Sequence, residues 1–218
     1  MRVLLAAILV CTLALGGHAD ARSKHRQPAS VAGQFDYYVL TLSWSPSYCE
    51  THGDDVQQCG AASPPGFVLH GLWPQFQGGG FPQNCATSNR LDASAQKVGQ
   101  RIFPSTKLIE HEWDRHGTCS GLTATKYFQL ADQARNSITV PDRFQPGQGV
   151  AILTSTQIAQ AFHDANPALS DHSTAVICGG PELSEVRVCL SKTLQPMTCG
   201  ADVKDVCRAS PVRIPGVK

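Results

Sequence analysis

The sequence carries little net charge. It has 18 Lys and Arg residues against 17 Asp and Glu residues, a formal net charge of +1, and only 16% of its residues are charged. Proteins that grip long nucleic acids through the phosphate backbone need an excess of basic residues. The composition therefore excludes a general binder of long nucleic acids, and any charged polymer would have to be held by a local pocket.

The sequence also lacks an apolar run long enough for a membrane span. The run Val3–Leu15 is shorter than the about 20 apolar residues that cross a bilayer. It follows a basic start and ends in small residues, which is the pattern of a secretory signal peptide. We predict a signal peptide at residues 1–19, with cleavage after Ala19 favoured and after Ala21 as the alternative. The protein is accordingly expected to be secreted or periplasmic.

Closely paired cysteines are missing as well. None of the nine cysteines forms the C-x₂-C pair that is typical of structural zinc sites. Cys11 leaves with the signal peptide, and eight cysteines in an exported protein indicate four disulfides, in any of 105 pairings. Residues 20–33 are polar and aperiodic, which predicts a flexible leader. Residues 34–218 then form one disulfide-stabilised domain.

The first half of this domain contains two segments typical of strands. Phe35–Trp44 is rich in β-branched and aromatic residues and ends at Ser45-Pro46, which indicates a turn. Phe67–Trp73 is a second short strand, closed by Pro74. Between and after these two segments the sequence predicts loops, one of which carries two of the cysteines.

The second half mixes helical and strand-like segments. Helices are expected at 92–102, 108–116, 123–137 and 156–166, strands at 175–178 and 183–190, and either a strand or the lead into a helix at 150–153. Glu182, Glu185 and Arg187 are expected to face outward from the last strands. Because the elements lack a regular βαβ alternation, the sequence predicts an α+β fold with a central, mostly antiparallel sheet flanked by several helices.

Two segments concentrate titratable and aromatic residues: FVLHGLWPQ, which contains His70, and HEWDRHGTC. In a helix, residues four apart share a face, so Glu112 would lie beside His116 and Arg115 beside His111. A carboxylate next to His116 would favour the charged imidazole and fix its orientation.

The second segment superficially resembles the H-E-x-x-H zinc signature. His111 and His116, however, are five residues apart, which is about 140° round a helix. By this spacing they would not chelate one metal as an i, i+4 pair does. We therefore expect no metal and no cofactor.

Two histidines, a carboxylate and a cation suit a reaction whose substrate brings its own nucleophile. The chain has no G-x-S-x-G elbow, and Cys119 belongs to an even, exported set of cysteines. Cleavage of RNA by its own 2′-hydroxyl needs only a base, an acid and stabilisation of the extra phosphorane charge. The sequence alone does not say which histidine is the acid and which the base.

The two segments resemble the active-site motifs of the ribonuclease T2 family. FDYYVLTLSWSPSYC, at the start of the domain, is similar to the first strand of that family and to the Trp-Pro-x-x-Tyr-Cys that follows it. The resemblance implies a metal-independent endoribonuclease that acts on single-stranded RNA; no feature of the sequence marks an oligomer, and we expect a monomer. It would leave 2′,3′-cyclic phosphates and then 3′-phosphates. His116 would be the general base and His70 the general acid, and Glu112 with Arg115 would stabilise the phosphorane.

The resemblance also implies that His111 binds phosphate and that Trp73 lies against a substrate base. The family usually has lysine at the position of Arg115, and arginine is bulkier and can form two parallel hydrogen bonds to phosphate. Many members carry glutamine before the first tryptophan, where this chain has Leu42 and Ser43. That departure favours low base specificity.

The same resemblance implies a disulfide pattern. The four pairs would be Cys49–Cys59, Cys85–Cys119, Cys178–Cys207 and Cys189–Cys199. The second of these would hold the loop after the first motif against the end of the second motif. Two alternatives stay open: a non-catalytic RNA-binding protein on the same fold, and an exported hydrolase of another class, such as a zinc peptidase.

Overall fold

The computed structural model describes residues 29–60, 66–207 and 211–217. The predicted signal peptide and most of the predicted leader lie outside the described residues. Within them the chain forms six strands: β1 Tyr37–Trp44, β2 Phe67–Gln75, β3 Ala151–Leu153, β4 Thr174–Gly179, β5 Glu182–Leu190 and β6 Val212–Ile214. The described helices are α1 Ser45–Thr51, α2 Val56–Cys59, α3 Ala93–Ile102, α4 Thr106–Arg115, α5 Ala124–Asn136 and α6 Ser155–Ala165, with 3₁₀ turns at Gly117–Ser120 and Asp142–Phe144.

The strands form one mixed sheet, which confirms the predicted α+β class. Its order is β2-β1-β5-β6-β3, and β4 also pairs with β5. All of these pairings are antiparallel except the contact between β5 and β6. Strand β1 is buried along nearly its whole length because apolar clusters cover both faces of the sheet. The larger cluster contains Leu40 and Leu42, and the smaller one contains Tyr37 and Val39.

A β-bulge interrupts the pairing of β1 with β2. Thr41 pairs with Gly71 and the next residue, Leu42, pairs with Leu69, so His70 is the extra residue of β2. Leu69 and Leu72 both reach the larger core although they are three positions apart. A bulge resets the two-residue alternation of a strand and re-aims a side chain. It therefore turns His70 away from that core.

Two proline interpretations from the sequence are wrong. Pro74 does not end β2, because it lies inside the strand and pairs with Tyr38. This strand is at the edge of the sheet, where the missing N–H of proline leaves no partner unpaired. Ser45-Pro46 is not a turn but the first turn of α1, where the N–H groups have no helical partner in any case.

The prediction that Glu182, Glu185 and Arg187 face outward is also wrong. Glu185 is only 8% exposed, and Glu182 and Arg187 are half-buried. Strand β5 is flanked by β1 on one edge and by β4 on the other, and core clusters lie on both faces. A strand in this position has no solvent-facing side, so its charged residues must find partners inside the molecule.

The four long helices begin and end within two residues of their predicted limits. Each starts at a side chain that accepts a hydrogen bond from a backbone N–H of the first turn, which is the physical signal for a helix start. These caps are Asp92, Ser105, Thr123 and Thr154. None of the helices in the described part of the chain is long and apolar enough to cross a membrane.

Candidate active site

The two motifs meet where the edge strand β2 lies against the end of α4. The bulge in β2 presents His70, and the last turn of α4 presents His111 and Glu112. His116 follows directly after the helix, and β5 brings Glu185 to the same place. The structure thus collects side chains from three elements that are far apart in the sequence.

Glu112 lies at the centre of this cluster, with no exposed surface. The indole Nε1 of Trp73 donates a hydrogen bond to its Oε2 at 2.7 Å. Its other oxygen, Oε1, has no hydrogen-bond partner among the described residues and lies 3.8 Å from Nε2 of His70. Burial raises the pKa of Glu112 to about 7, against the lowering effects of His70 and Trp73. Near neutral pH a large fraction of this carboxyl group is therefore protonated.

His70 is held from the side opposite to Glu112. Its Nδ1 donates to Oε1 of Glu185 at 2.8 Å. Burial disfavours its charged form, but the hydrogen bond to Glu185 and the charges of Glu112 and Glu185 outweigh that effect, so the pKa of His70 is raised above its usual value. The side chain keeps 31% of its surface exposed, so it is accessible to a substrate.

His116 has the opposite environment. It is 4% exposed, and its ring stacks on Trp73 with the centroids 5.0 Å apart and the planes at 22°. Burial lowers its pKa to about 3, and the positive charges of Arg115, His111 and His70 act in the same direction. Near neutral pH its imidazole is neutral.

The expectation that Glu112 favours the charged form of His116 is wrong. The helix ends at Arg115, and His116 has φ −117° and ψ −49°, away from ideal helical values. The carboxylate of Glu112 instead turns towards Trp73 and His70. The four-residue spacing correctly predicts that Glu112 and His116 lie close together. It does not predict which neighbouring side chain forms the hydrogen bond with the carboxylate of Glu112.

The angular argument that separates His111 from His116 fails for the same reason. One donor atom each from His111, Glu112 and His116 lie within 4.8 Å of one another. The 140° estimate assumes that the helix continues through His116, and it does not. The expectation that no metal binds here therefore stays a prediction, and the five-residue spacing of His111 and His116 is no argument for it.

Cations and aromatic rings surround the histidines. The guanidinium of Arg115 lies 5.7 Å from the ring centre of Phe81, and the ring of Phe81 lies 5.8 Å from that of His116. The guanidinium of Arg187 lies 5.1 Å from the ring centre of Trp73. The positive charge of Arg115 contributes to lowering the pKa of His111, after burial. Arg115 is therefore placed to act on both His111 and His116.

Sequence reasoning missed Glu185 and Arg187 as part of this cluster. Their only signal is a pair of opposite charges two positions apart in an otherwise buried strand. Such a pair points to one face of the sheet, and this face becomes the wall of the site only because β5 lies next to β1. A motif search along the chain does not reveal that neighbourhood.

An open groove of about 980 Å³ begins at His70 and His111. It passes between the start of α4, the end of β1 and the turn between β4 and β5. Its wall includes His70, His111, Ser43, Ser105, Leu108 and Glu185. The groove is far larger than a water site, and it meets the cluster at His70, His111 and Glu185, whereas His116 and Glu112 do not line it.

Four disulfides frame the structure, and they are the pairs that the resemblance implies. They are Cys49–Cys59, Cys85–Cys119, Cys178–Cys207 and Cys189–Cys199. Cys119 lies three residues after His116, and its partner Cys85 lies in the loop after β2. In that loop the N–H of Asn84 also donates to the carbonyl of Arg115. The loop is thereby fixed to the end of α4.

The fold and the site together define a class of disulfide-bonded α+β proteins with two histidines and a buried carboxyl group clustered beside a groove. The chain belongs to the ribonuclease T2 family, whose model matches residues 35–199. It is 45% identical over 117 residues to a ribonuclease of Aeromonas hydrophila, covering 54% of this chain and 53% of that one. It is 28% identical over 203 residues to the ribonuclease T2 protein rnst-2 of Caenorhabditis elegans, covering 81% and 71%.

Solved structures show the same fold. The RNase-related protein from Calystegia sepium matches with a TM-score of 0.66 and 20% identity, over 84% of this chain and 97% of that one. RNase NT, solved in complex with 5′-AMP, matches with a TM-score of 0.54 and 24% identity, over 78% and 98%. The chain spans 53% and 61% of the length of the first two curated relatives that it matches.

Proposed function

We propose that this protein is an endoribonuclease that cleaves single-stranded RNA by attack of the 2′-hydroxyl on the adjacent phosphate. The observation that carries the proposal is the contrast between the two histidines. The pKa of His116 is lowered to about 3 and that of His70 is raised. Near neutral pH the imidazole of His116 is therefore neutral, with a ring nitrogen that can accept a proton, while a larger share of His70 carries the proton that it can give.

In the proposed reaction His116 takes the proton of the 2′-hydroxyl while the 2′-oxygen forms a bond to phosphorus. The bond from phosphorus to the 5′-oxygen breaks, and Nε2 of His70 gives its proton to that oxygen. The products are a 2′,3′-cyclic phosphate and a free 5′-hydroxyl. Water then opens the cyclic phosphate to a 3′-phosphate with the two histidines in reversed roles. The reaction as proposed needs no metal.

Glu112 and the cations are proposed to stabilise the phosphorane. Because its pKa is raised to about 7, the neutral carboxyl of Glu112 is available to donate a hydrogen bond to a phosphoryl oxygen. Its Oε1 atom lacks a partner among the described residues. Arg115 supplies positive charge beside His116, and His111 supplies an N–H group at the mouth of the groove. Trp73 is proposed to lie near a substrate base while it orients Glu112.

The site of action is proposed to be outside the cytoplasm. Four disulfides persist in oxidising compartments such as the periplasm or the extracellular space. The near-neutral charge suits a protein that holds a few nucleotides in one groove rather than a long RNA. We propose that it acts as a monomer, with low base specificity.

The test is cleavage of a fluorogenic RNA in EDTA, with analysis of the product ends. We expect cleavage without divalent metal and 2′,3′-cyclic phosphate or 3′-phosphate ends. His70→Ala and His116→Ala should each lower the rate at least ~100-fold, whereas His172→Ala, at an exposed histidine outside the cluster, should not. Cleavage that requires metal, or 5′-phosphate ends, would contradict the mechanism. RNA binding without cleavage would favour the non-catalytic alternative.

A further inference from the structure

Glu185 is a buried carboxylate to which the reaction above gives no role. It is 8% exposed and lies on β5, opposite Ser43 of β1. Its Oε1 accepts the hydrogen bond from Nδ1 of His70 at 2.8 Å. A buried carboxylate is costly unless both of its oxygens are paired, so the partner of Oε2 is informative.

That partner is Arg187, two positions further along the same strand. Its Nε donates to Oε2 of Glu185 at 2.9 Å, and Nη2 donates to the same oxygen at 2.7 Å. The guanidinium also lies over the ring of Trp73, which in turn donates to Glu112. Glu185 is therefore fixed in place by contacts that do not involve the substrate.

We propose that Glu185, held by Arg187, is a positioning residue that fixes the ring of His70 and its tautomer, so that Nε2 is the atom that delivers a proton to the leaving oxygen. This inference rests on the proposed function. Neither the two motifs nor the matches to relatives assign a role to Glu185.

The geometry supports the assignment of Nε2. Since Nδ1–H is taken by the carboxylate, Nε2 is the ring nitrogen left on the side of Glu112 and the groove. A carboxylate that accepts from one nitrogen of an imidazole fixes which nitrogen carries the reactive proton and stabilises the imidazolium. The same logic applies to any histidine that has to give a proton in a fixed direction.

The other charged groups around His70 define what the loss of Glu185 would do. Glu112 favours protonated His70, while Arg187 disfavours it. His111 and His116 also lie close enough for mutual repulsion with a charged His70. Without Glu185, burial and the guanidinium of Arg187 would disfavour protonated His70, and only the buried Glu112 would favour it. The pKa of His70 should then fall, and its ring should lose its fixed orientation.

The test is Glu185→Gln, which preserves shape and removes the charge. With a dinucleotide substrate at neutral pH we expect kcat to fall at least ~10-fold and the alkaline limb of the pH profile to move to lower pH. With a uridine 3′-(4-nitrophenyl phosphate) substrate, whose leaving group needs no proton, the loss should stay under ~3-fold. Equal losses on the two substrates, or an unchanged alkaline limb, would overturn the proposal.

Asp171→Asn is the matched control, because Asp171 is a carboxylate that also pairs with a histidine, His163, but neither residue lines the groove. It should leave both rates and the pH profile unchanged. If Glu185→Gln does not fold, Glu185→Asp replaces it, because aspartate keeps the charge beside Arg187 but is too short for both hydrogen bonds. Wild-type rates and an unmoved alkaline limb in that variant would equally overturn the proposal.

A readout that does not depend on cleavage separates this inference from the proposed function. The ¹⁵N chemical shifts of His70 report which nitrogen carries the proton in the neutral ring. We expect the Nδ1–H tautomer in the wild-type protein and a mixture in Glu185→Gln. If the wild-type protein shows that tautomer but cleaves neither substrate, the proposed function fails. If it cleaves RNA but shows the Nε2–H tautomer, only the role of Glu185 fails.

Discussion

At the scale of single residues, His70 and His116 show how one amino acid acquires two chemistries. His116 is packed against Trp73 and faces positive charges, so burial and repulsion both favour its neutral form. Partial burial also disfavours the charged form of His70, but two carboxyl groups outweigh that effect. The sequence motifs leave the two roles interchangeable. The difference in surroundings is what supports the assignment of His116 as base and His70 as acid.

This contrast predicts an activity profile that extends into the acid range. Below the pKa of His116, about 3, the base is protonated and kcat/KM should fall as pH decreases. At higher pH the acid His70, whose pKa is raised, and the neutral carboxyl donor Glu112, whose pKa is about 7, both lose their protons, so kcat/KM should fall as pH increases. Initial rates on a dinucleotide between about pH 2 and pH 9 measure both limbs. An acid limb centred near the ordinary histidine pKa would contradict the environment described for His116.

The residues of the site were predictable to the extent that they lie in short motifs. The six motif residues of the predicted site lie in or beside the cluster, because two local segments carry them all. Glu185 and Arg187 were not predictable in the same way, since Glu185 contacts His70 across 115 residues of sequence and Arg187 joins the site through Glu185. The partner of Glu112 was mispredicted because the spacing rule assumes that the helix continues through His116, beyond its actual end.

At the scale of elements, the site depends on how closely β2 approaches α4. Gly71 lies where they meet, beside the carboxyl group of Glu112 and the indole of Trp73. A Cβ atom built on Gly71 would overlap with both groups. Both lie inside the cluster, and the carboxyl group has no exposed surface into which it could move. Glycine is therefore required here by space, whatever its backbone conformation.

We accordingly predict that Gly71→Ala damages the site and the fold together. Overpacking of this kind costs about 1–3 kcal/mol of unfolding free energy, and displacement of Glu112 and Trp73 should lower the cleavage rate at least ~10-fold. Urea unfolding and initial rates measure the two effects. Gly78→Ala is the control, because a Cβ on Gly78 meets nothing within 4 Å. Wild-type stability and activity in Gly71→Ala would show that the two elements are not in close contact.

The elements themselves were largely predictable, because capping residues and apolar periodicity are local. Two of the predicted helix starts are the capping residues Asp92 and Thr123, and the other two lie within three residues of the caps Ser105 and Thr154. The errors fall where a local signal has two structural solutions. Proline can end a strand, but it can also lie inside an edge strand, as Pro74 does, or in the first turn of a helix, as Pro46 does. Which of these occurs depends on where the segment lies in the folded protein.

At the scale of the whole molecule, the arrangement of the site depends on covalent links as well as on the sheet. The Cys85–Cys119 disulfide spans 34 residues and includes α3 and α4 in its loop. The Cys189–Cys199 disulfide spans only 10 residues and closes a short segment after β5. Cys119 and Cys189 are both fully buried, so the two disulfides differ mainly in loop length and in their distance from the end of α4.

Removal of these two disulfides should therefore have different consequences. Cross-links restrict the unfolded chain more when they close a longer loop, so Cys85→Ala with Cys119→Ala should lower the unfolding free energy by about 3–4 kcal/mol, roughly 1 kcal/mol more than Cys189→Ala with Cys199→Ala. The first variant should also lose cleavage activity at temperatures where it is still folded, because the loop that contacts Arg115 is released from the helix end that carries His116. The second should keep activity close to that of the wild-type protein until it unfolds.

Denaturant unfolding followed by circular dichroism gives the stabilities, and initial rates below both unfolding transitions give the activities. Equal activity in the two folded variants would mean that the sheet and the core alone position His116 relative to His70.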